Sequence, residues 1–172
     1  IMTNTSTEHV NLCGLNRKDF QTTINGKKTD LYILRNRKGY EVAITNYGGA
    51  VVAIMVPDKD GKVANVIQGH DNIQDVINSP EPFLSTLIGR YGNRICHGQY
   101  TLNGKEYQLA VNNGVNHLHG GPTGYHARVW DARQMGWLST MYHPTVRKDS
   151  QASAVSLWST HLQTITSWLS NI

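Results

Sequence analysis

The sequence predicts an all-β protein, and more specifically an antiparallel β-sandwich. Two observations predict this class. Between residues 29 and 110, short apolar or alternating segments follow one another, and glycine, asparagine or proline ends each of them. Only one short segment in that stretch has the residue spacing of a helix. The chain of 172 residues is long enough for one domain with a core and too short for two.

The first predicted strands alternate with turn residues. Residues 30–34 read DLYIL, residues 40–44 read YEVAI, and the segment NRKG at residues 36–39 joins them as a turn. The apolar run at residues 50–56 is too short and too rich in β-branched residues for a helix. We therefore expect it to be a strand of the core and not a binding stripe.

The following elements extend the same pattern. The segment PDKDG at residues 57–61 places proline, aspartate and glycine at turn positions, and a further strand is predicted at residues 63–67. Residues 72–78 carry apolar side chains at helical spacing before a Ser-Pro stop, which predicts a short helix. The clearest hairpin pairs residues 100–102 with residues 106–109 across an Asn-Gly turn.

The composition changes after residue 135. All sixteen glycines lie at or before Gly136, and three of the four tryptophans lie beyond it among serines and threonines. This tail shows neither strand alternation nor a sustained helical stripe. We therefore divide the chain into residues 1–135, the N-terminal part of an incomplete β-sandwich, and residues 136–172, an aberrant tail.

Charge and hydropathy exclude two classes of partner. The net charge is +4, but the basic residues are scattered and no nucleic-acid-binding motif accompanies them, so we expect no nucleic acid. No apolar run has the length of a membrane span, and the first residues lack a secretory signal pattern, so we expect no membrane partner and a cytoplasmic location.

The cysteines support a reducing compartment. Cys13 and Cys96 are the only two, and they build neither a disulfide framework nor a zinc cluster. Cys96 stands beside His97, but neighbours along a strand point to opposite faces, so a nucleophile pair is not expected. We expect Cys96 to be a buried or half-buried thiol.

Two glycine-rich segments gather hydrogen-bonding side chains. They are GRYGNRI at residues 89–95 and GVNHLHGGPTG at residues 114–124. Asn93, Arg94 and His119 offer an amide, a guanidinium and an imidazole, a set suited to a neutral polyol such as a sugar. Two structural alternatives stay open from these residues alone. The Asn-Arg pair can be a turn with a surface ion pair, and the histidine can be satisfied by backbone groups.

Three histidines near this site require a metal to be considered. His117 and His119 would share one strand face, and His126 follows closely. Zinc ordinarily takes three or four ligands whose orientation other groups support. We expect no metal here.

Several motifs occur in a specific order and spacing: ITNYGG at residues 44–49, VPDKDG at 56–61, GRYGNRI at 89–95, LNGK at 102–105 and NHLHGG at 116–121, followed by VW at 129–130. Together they resemble the aldose 1-epimerase (galactose mutarotase) family over roughly residues 15–135. The resemblance implies a galactose mutarotase-like antiparallel β-sandwich, and an enzyme that interconverts the α and β anomers of hexoses such as galactose or glucose without a cofactor.

The resemblance also implies roles for individual residues. In such enzymes a general base takes the anomeric hydroxyl proton while a general acid protonates the ring oxygen, and the opened ring recloses on the other face. Asn93, Arg94 and His119 occupy the positions that bind the monosaccharide. Arg90, in the same motif, is expected to be structural or to face solvent.

The sequence departs from the family at several places. His117 replaces a small polar residue, and FLS at residues 83–85 replaces an aromatic-glycine pair. The general acid histidine and the general base glutamate have no matching positions: His143 and His161 lack the motif, and no glutamate follows Glu106. We therefore expect a truncated, catalytically impaired mutarotase with no catalytic residue assigned.

Two alternatives accompany this interpretation. The chain can be a non-catalytic carbohydrate-binding β-sandwich whose tail completes the fold. It can also expose unpaired strand edges and self-associate.

A frameshift offers a cause for the tail. Back-translating residues 160–172 and reading the nucleotides in another frame permits TLTDDNELVIEY, which resembles the family's next strand. This supports the hypothesis of a frameshift near residues 133–138, which sequencing the gene would test.

Overall fold

The computed structural model describes residues 11–36, 38–135 and 138–142. These residues form short strands, one α-helix and three turns of 3₁₀-helix. The strands are β1 (Thr23–Ile24), β2 (Lys27–Lys28), β3 (Leu31–Arg35), β4 (Glu41–Thr45), β5 (Val51–Pro57), β6 (Val63–Asn65), β7 (Arg94–Ile95), β8 (Gln99–Leu102), β9 (Lys105–Gln108), β10 (His117–Leu118), β11 (Asp131–Met135) and β12 (Leu138–Tyr142). The helix is α1 (Ile73–Ile77), and the 3₁₀ turns are Arg17–Phe20, Cys96–Gly98 and Tyr125–Ala127.

The centre of the fold is a four-stranded antiparallel sheet in the order β3-β4-β5-β6. Strand β4 is buried at every residue, so both faces of the sheet are covered. On β4, Ala43 packs into one apolar cluster, whereas Val42 and Ile44 pack into the other. This follows the period of two along a strand and gives the sheet two cores.

A β-bulge in β5 changes the face of the sheet to which its side chains point. The register between β4 and β5 shifts at Ala43 and Ile44, which pair with Ala53 and Val51. The extra residue is Val52, and both Val52 and Ala53 pack into the same apolar cluster although they are neighbours in sequence. A bulge of this kind bends a strand and redirects its side chains.

Different segments cover the two faces. Phe20 from the first 3₁₀ turn and Ile73 and Val76 from α1 pack on the face that holds Ala43. Trp130, 2% exposed, packs on the opposite face with the partly buried Leu87. The two cores therefore depend on chain segments that lie before and well after the sheet in sequence.

Asn46 joins these segments at the end of β4. Its side chain is 3% exposed, and its Oδ1 accepts a hydrogen bond from the Asp30 N–H at 2.8 Å. Its amide group donates to the carbonyl oxygens of Lys28 at 3.1 Å and Trp130 at 3.0 Å. A buried amide is costly unless it is hydrogen-bonded, and here its bonds tie the end of β4 to residues 28–30 and to Trp130.

The all-β antiparallel fold predicted from the sequence is confirmed. The strands predicted at residues 30–34, 40–44 and 50–56 correspond to β3, β4 and β5 within a residue. The predicted helix is α1, and the Asn72 side chain that caps it accepts from the Asp75 N–H at 2.9 Å. The sequence analysis missed the short hairpin β1-β2, although its Asn25-Gly26 turn carries the same signal as the hairpin β8-β9.

The end of the described chain bears on the predicted domain boundary. Strand β12 lies beyond residue 135 and pairs antiparallel with β11. The other residues of the predicted tail, 136–137 and 143–172, lie outside the described residues. The division at residue 135 therefore stays a prediction.

Two further expectations concern the membrane and Cys96. Within the described ranges, no helix is long and apolar enough to cross a membrane. Cys96 is exposed, so the expectation of a buried or half-buried thiol is wrong. The physical reason is local, because residues 96–98 form a 3₁₀ turn at the surface and not a strand of the sheet.

We predict that Asn46→Ala lowers the free energy of unfolding by about 2–4 kcal/mol, because it leaves one buried N–H and two carbonyl groups with fewer partners. Gln68→Ala is the matched control, since Gln68 is an exposed amide. Urea denaturation followed by circular dichroism measures both. Equal stability of the two variants would contradict the role given to Asn46.

Candidate functional site

The two glycine-rich segments identified in the sequence cross in direct contact. A Cβ atom on Gly120 would lie 1.9 Å from the carbonyl oxygen of Gly89. Gly120 also has a φ of +88°, a backbone conformation that L side chains rarely adopt. Only glycine allows the two backbones to approach this closely, and the crossing places both groups of polar side chains together.

A short antiparallel pairing continues from the crossing. Strand β7 pairs with β10, so that Arg94 stands opposite Leu118 and Ile95 opposite His117. At the end of this pairing, the Asn93 N–H donates to Nδ1 of His119 at 2.9 Å. The His119 N–H in turn donates to the Asn93 carbonyl oxygen at 3.1 Å. Asn93 and His119 are thus locked in a reciprocal hydrogen-bonded pair.

The Arg94 guanidinium is held by two asparagine side chains. Its Nε donates to Oδ1 of Asn113 at 2.8 Å, and its Nη1 donates to Oδ1 of Asn93 at 3.3 Å. A guanidinium has five N–H donors. The N–H groups of Arg94 that are not used in these two bonds have no partner among the described residues. Arg94 is therefore oriented by the protein and still able to donate to a ligand.

The hydrogen bond to Nδ1 determines the tautomer of the His119 ring. Since Nδ1 accepts from a backbone N–H, the proton of the neutral ring is on Nε2. The ring also packs edge-on against Phe83, with 4.8 Å between the ring centroids. His119 is thus a fixed Nε2–H donor.

Phe83 connects His119 to a third histidine. Its ring lies 4.4 Å from that of His126, which is 6% exposed and whose Nδ1 has no hydrogen-bond partner. Burial lowers the pKa of His126 below its ordinary value, and the charge of His119 lowers that pKa further. The sequence departure at residues 83–85 is therefore part of the site, since Phe83 separates two imidazoles.

The histidines are not arranged as metal ligands. Within the described part of the chain, no group of three or more histidine, cysteine, aspartate or glutamate side chains could hold a metal ion. His117 lies in β10 and its Nδ1 is bonded to the Ala110 carbonyl oxygen at 2.7 Å. His119 has a φ of +53° and leaves the strand, so the two do not share a strand face as the sequence pattern predicts.

A cavity of about 860 Å³ opens beside this pairing. Its wall includes backbone of the glycine crossing, apolar side chains and several groups that donate hydrogen bonds. Donors are carried by the arginines Arg90, Arg94 and Arg128, the tyrosines Tyr91, Tyr100 and Tyr125, and Thr123, whereas His117 uses its Nδ1–H on the Ala110 carbonyl oxygen. The volume lies in the range of small-molecule sites.

The structure brings the three predicted site residues together, but in unequal positions. Asn93, Arg94 and His119 are connected by direct hydrogen bonds. Arg94 lines the cavity, whereas Asn93 and His119 lie next to it and are not among its lining residues. Arg90 also lines the cavity, where the sequence analysis expected a structural or solvent-facing role.

Sequence reasoning missed the contribution of residues 125–128, which follow the second glycine-rich segment. Tyr125 and Arg128 line the cavity, and the Tyr125 ring lies 2.9 Å from the position of a Cβ on Gly89. The density of glycines in both segments was the available signal, because close backbone contact requires residues without side chains. Glycine density does not reveal which side chain covers the contact between the two backbones.

Comparison with known proteins places these features in a family. The family described as Aldose 1-epimerase matches residues 30–154 of this chain. Among curated relatives, the galactose mutarotase of Bos taurus is 39% identical over 92 residues, which are 54% of this chain and 27% of the relative. The aldose 1-epimerase of Escherichia coli K12 is 35% identical over 106 residues, or 62% of this chain and 30% of the relative.

Solved structures give the same result for the fold. An aldose epimerase homologue from C. elegans superimposes with a TM-score of 0.62 at 26% identity, over 66% of this chain and 35% of its own. A galactose 1-epimerase from Lactobacillus acidophilus gives 0.56 at 30% identity, over 65% and 32%. The chain thus spans less than a third of the length of both curated relatives.

We predict that Gly120→Ala destabilises the fold by about 3 kcal/mol or more, since it adds a backbone clash to an unfavourable φ. Gly104→Ala is the matched control, because Gly104 also has a positive φ of +75° but nothing within 4 Å of an added Cβ. It should cost about 1 kcal/mol. Denaturant unfolding distinguishes the two, and equal losses would argue against a tight crossing.

We predict that His126 weakens the fold as the pH falls. Its pKa is lowered on folding, so below about pH 6.5 the unfolded chain binds more protons than the folded protein, and stability decreases there. His126→Phe should flatten the fall in unfolding free energy between pH 7.5 and 5.5. His97→Asn, at an exposed histidine, should leave it unchanged. If the unfolding free energy of His126→Phe depends on pH as steeply as that of the unchanged protein, His126 is not the cause of the loss of stability.

Proposed function

The chain belongs to the aldose 1-epimerase family, and on that premise we propose that it binds a free hexose such as galactose or glucose at Asn93, Arg94 and His119. The observation that carries the proposal is the reciprocal bond between Asn93 and His119 beside the cavity-lining Arg94. It presents an imidazole donor and a guanidinium on one small patch, which suits the hydroxyl oxygens of a sugar.

Pre-orientation supports a binding role for this patch. Arg94 is fixed by Asn93 and Asn113, and His119 is fixed by backbone and by Phe83, so little side-chain freedom is lost when a ligand binds. The unused N–H groups of Arg94 and the Nε2–H of His119 are donors, and the hydroxyl and ring oxygens of a hexose are acceptors.

Anomer exchange needs more than these donors. One group must accept the anomeric hydroxyl proton, and another must protonate the ring oxygen as the ring opens. Arg94 can hold an oxygen of the opened sugar, but a guanidinium does not release its proton. No residue of this sequence matches the family's general acid or general base. We therefore propose weak or absent mutarotase activity for this chain.

The runner-up is a non-catalytic carbohydrate-binding β-sandwich. The absence of matched acid and base positions favours it, since the same donors would bind sugar without chemistry. The proposed ligand in both cases is a monosaccharide, with no cofactor. A cytoplasmic location remains part of the proposal and is supported by the free thiols Cys13 and Cys96.

We predict that Arg94→Ala and His119→Ala each weaken hexose binding at least about tenfold, because each removes a hydrogen bond from an oriented group. Calorimetry with glucose and galactose on the 172-residue chain measures this. Lys62→Ala is the control, since Lys62 is exposed and does not line the cavity. Unchanged affinity in both site variants would refute the assignment of these residues.

Catalysis is measured separately by polarimetry of freshly dissolved α-glucose. A missing general acid or base ordinarily costs about a hundredfold to ten-thousandfold in rate. We expect equilibration close to the uncatalysed rate. Rapid, protein-dependent equilibration that is lost in Arg94→Ala would instead establish an active mutarotase.

A further inference from the structure

The cavity beside the proposed sugar site carries positive charge that no described residue of its lining balances. Arg90, Arg94 and Arg128 all line it, and none of its lining residues is acidic. Within the described ranges none of these three arginines takes part in an ion pair, since the ion pairs there use Arg17, Lys27, Arg35 and Lys59. Guanidinium groups that line one cavity create a field that attracts an anion.

The hydrogen bonds of the arginines leave most of their donors unused. Arg128 donates from Nε to the Thr123 carbonyl oxygen at 3.2 Å, and Arg94 uses two N–H groups on asparagines. Arg90 is exposed and has no hydrogen-bond partner among the described residues. Planar guanidinium donors match the oxygens of phosphate and carboxylate groups, often with two parallel bonds.

An aromatic wall adds a surface for a ring. Tyr100 lines the cavity and stacks on Tyr107 across the β8-β9 hairpin, with 5.0 Å between centroids and 7° between planes. The Lys105 ammonium lies 5.3 Å from the Tyr107 centroid, so Tyr107 interacts with both neighbours. Tyr ring surfaces provide apolar contact area with a polar edge, which suits the mixed surface of a sugar.

We propose that the cavity binds a hexose that carries an anionic group, a phosphate or a carboxylate, with the anion on Arg90 and Arg128 and the sugar between Arg94 and Tyr100. This deepens the proposed function and rests on it. The shared chemistry is a sugar ring joined to an oxyanion. The volume of about 860 Å³ accommodates a substituent in addition to the ring.

The test compares ligands that differ in charge. Calorimetry on the 172-residue chain at low salt uses glucose, glucose 6-phosphate, glucuronate and inorganic phosphate. We expect at least one charged sugar to bind about tenfold or more tightly than glucose, because charge-assisted hydrogen bonds are the stronger kind. The preference should shrink when salt is raised to about 0.5 M, which shortens the range of the field. Whether phosphate or carboxylate is preferred follows from comparing the two charged sugars.

Variants at Arg90 test the location of the anion. Arg90→Gln should remove about fivefold to tenfold of the preference and leave glucose affinity unchanged, while Arg90→Lys keeps most of it through the retained charge. Lys62→Gln, which removes a charge away from the cavity lining, is the control. Arg90 makes no bond to other described residues, so the substitution should preserve the fold, and circular dichroism verifies this.

The outcomes separate the two proposals. Equal affinity for glucose and for both charged sugars overturns the anionic ligand and leaves hexose binding standing. Inorganic phosphate binding as tightly as glucose 6-phosphate, without glucose binding, overturns both sugar assignments. An undiminished preference in Arg90→Gln overturns the placement of the anion. Binding of no sugar at all refutes hexose binding and this inference with it.

Discussion

The fold depends on the contact between the end of β4 and the segment that leads into β11. Asn46 donates its amide to the Trp130 carbonyl, and the Trp130 N–H donates to the Asn46 carbonyl at 2.9 Å. Two residues on, Gly48 lies so close to His126 that a Cβ would be 2.3 Å from its carbonyl oxygen. Any side chain at residue 48 would push the two segments apart. This junction therefore fixes the segment of residues 123–128, which supplies four of the cavity-lining residues, to the central sheet.

Through this junction, residues of the second apolar core are in direct contact with residues that line the cavity. Trp130 fills the second core, and its Nε1 donates to the Tyr125 carbonyl at 3.1 Å. The Tyr125 ring meets that of Trp130 edge-on, with centroids 5.2 Å apart, and also lines the cavity. Burial of the indole thus stabilises the wall of the cavity. A change of packing beneath the sheet would reach the site through two aromatic rings and one hydrogen bond.

Much of the sheet could be predicted from sequence, because it obeys local rules. Strands β3, β4 and β5 are contiguous, apolar and separated by glycine or asparagine turns, and α1 has an asparagine cap. The two-residue pairing of β7 with β10 was not predictable, since a strand that short has no period to detect. The same holds for Cys96, whose exposure follows from a turn that sequence alternation cannot show. Asn93, Arg94 and His119 could be predicted as site residues because glycines flank them in the sequence. Arg128 could not, since it reaches the cavity only through the tertiary junction at Gly48.

Groups that hold a ligand and groups that transfer protons place different demands on the residues around the cavity. The cavity-lining donors lie between residues 90 and 128, and the glycine crossing and the junction at Gly48 hold the segments around Gly89, Gly120 and His126 in place. Proton transfer to and from a sugar needs titratable groups that approach the anomeric centre. His117 and His119 have their Nδ1 atoms committed to the Ala110 carbonyl and the Asn93 N–H, and His126 is buried against Phe83. In His117 and His119 one ring nitrogen remains for a ligand. The proposed site thus combines the oriented guanidinium donors of Arg94 with imidazole rings whose orientation is fixed through Nδ1, and His117 keeps its Nε2 on the cavity wall.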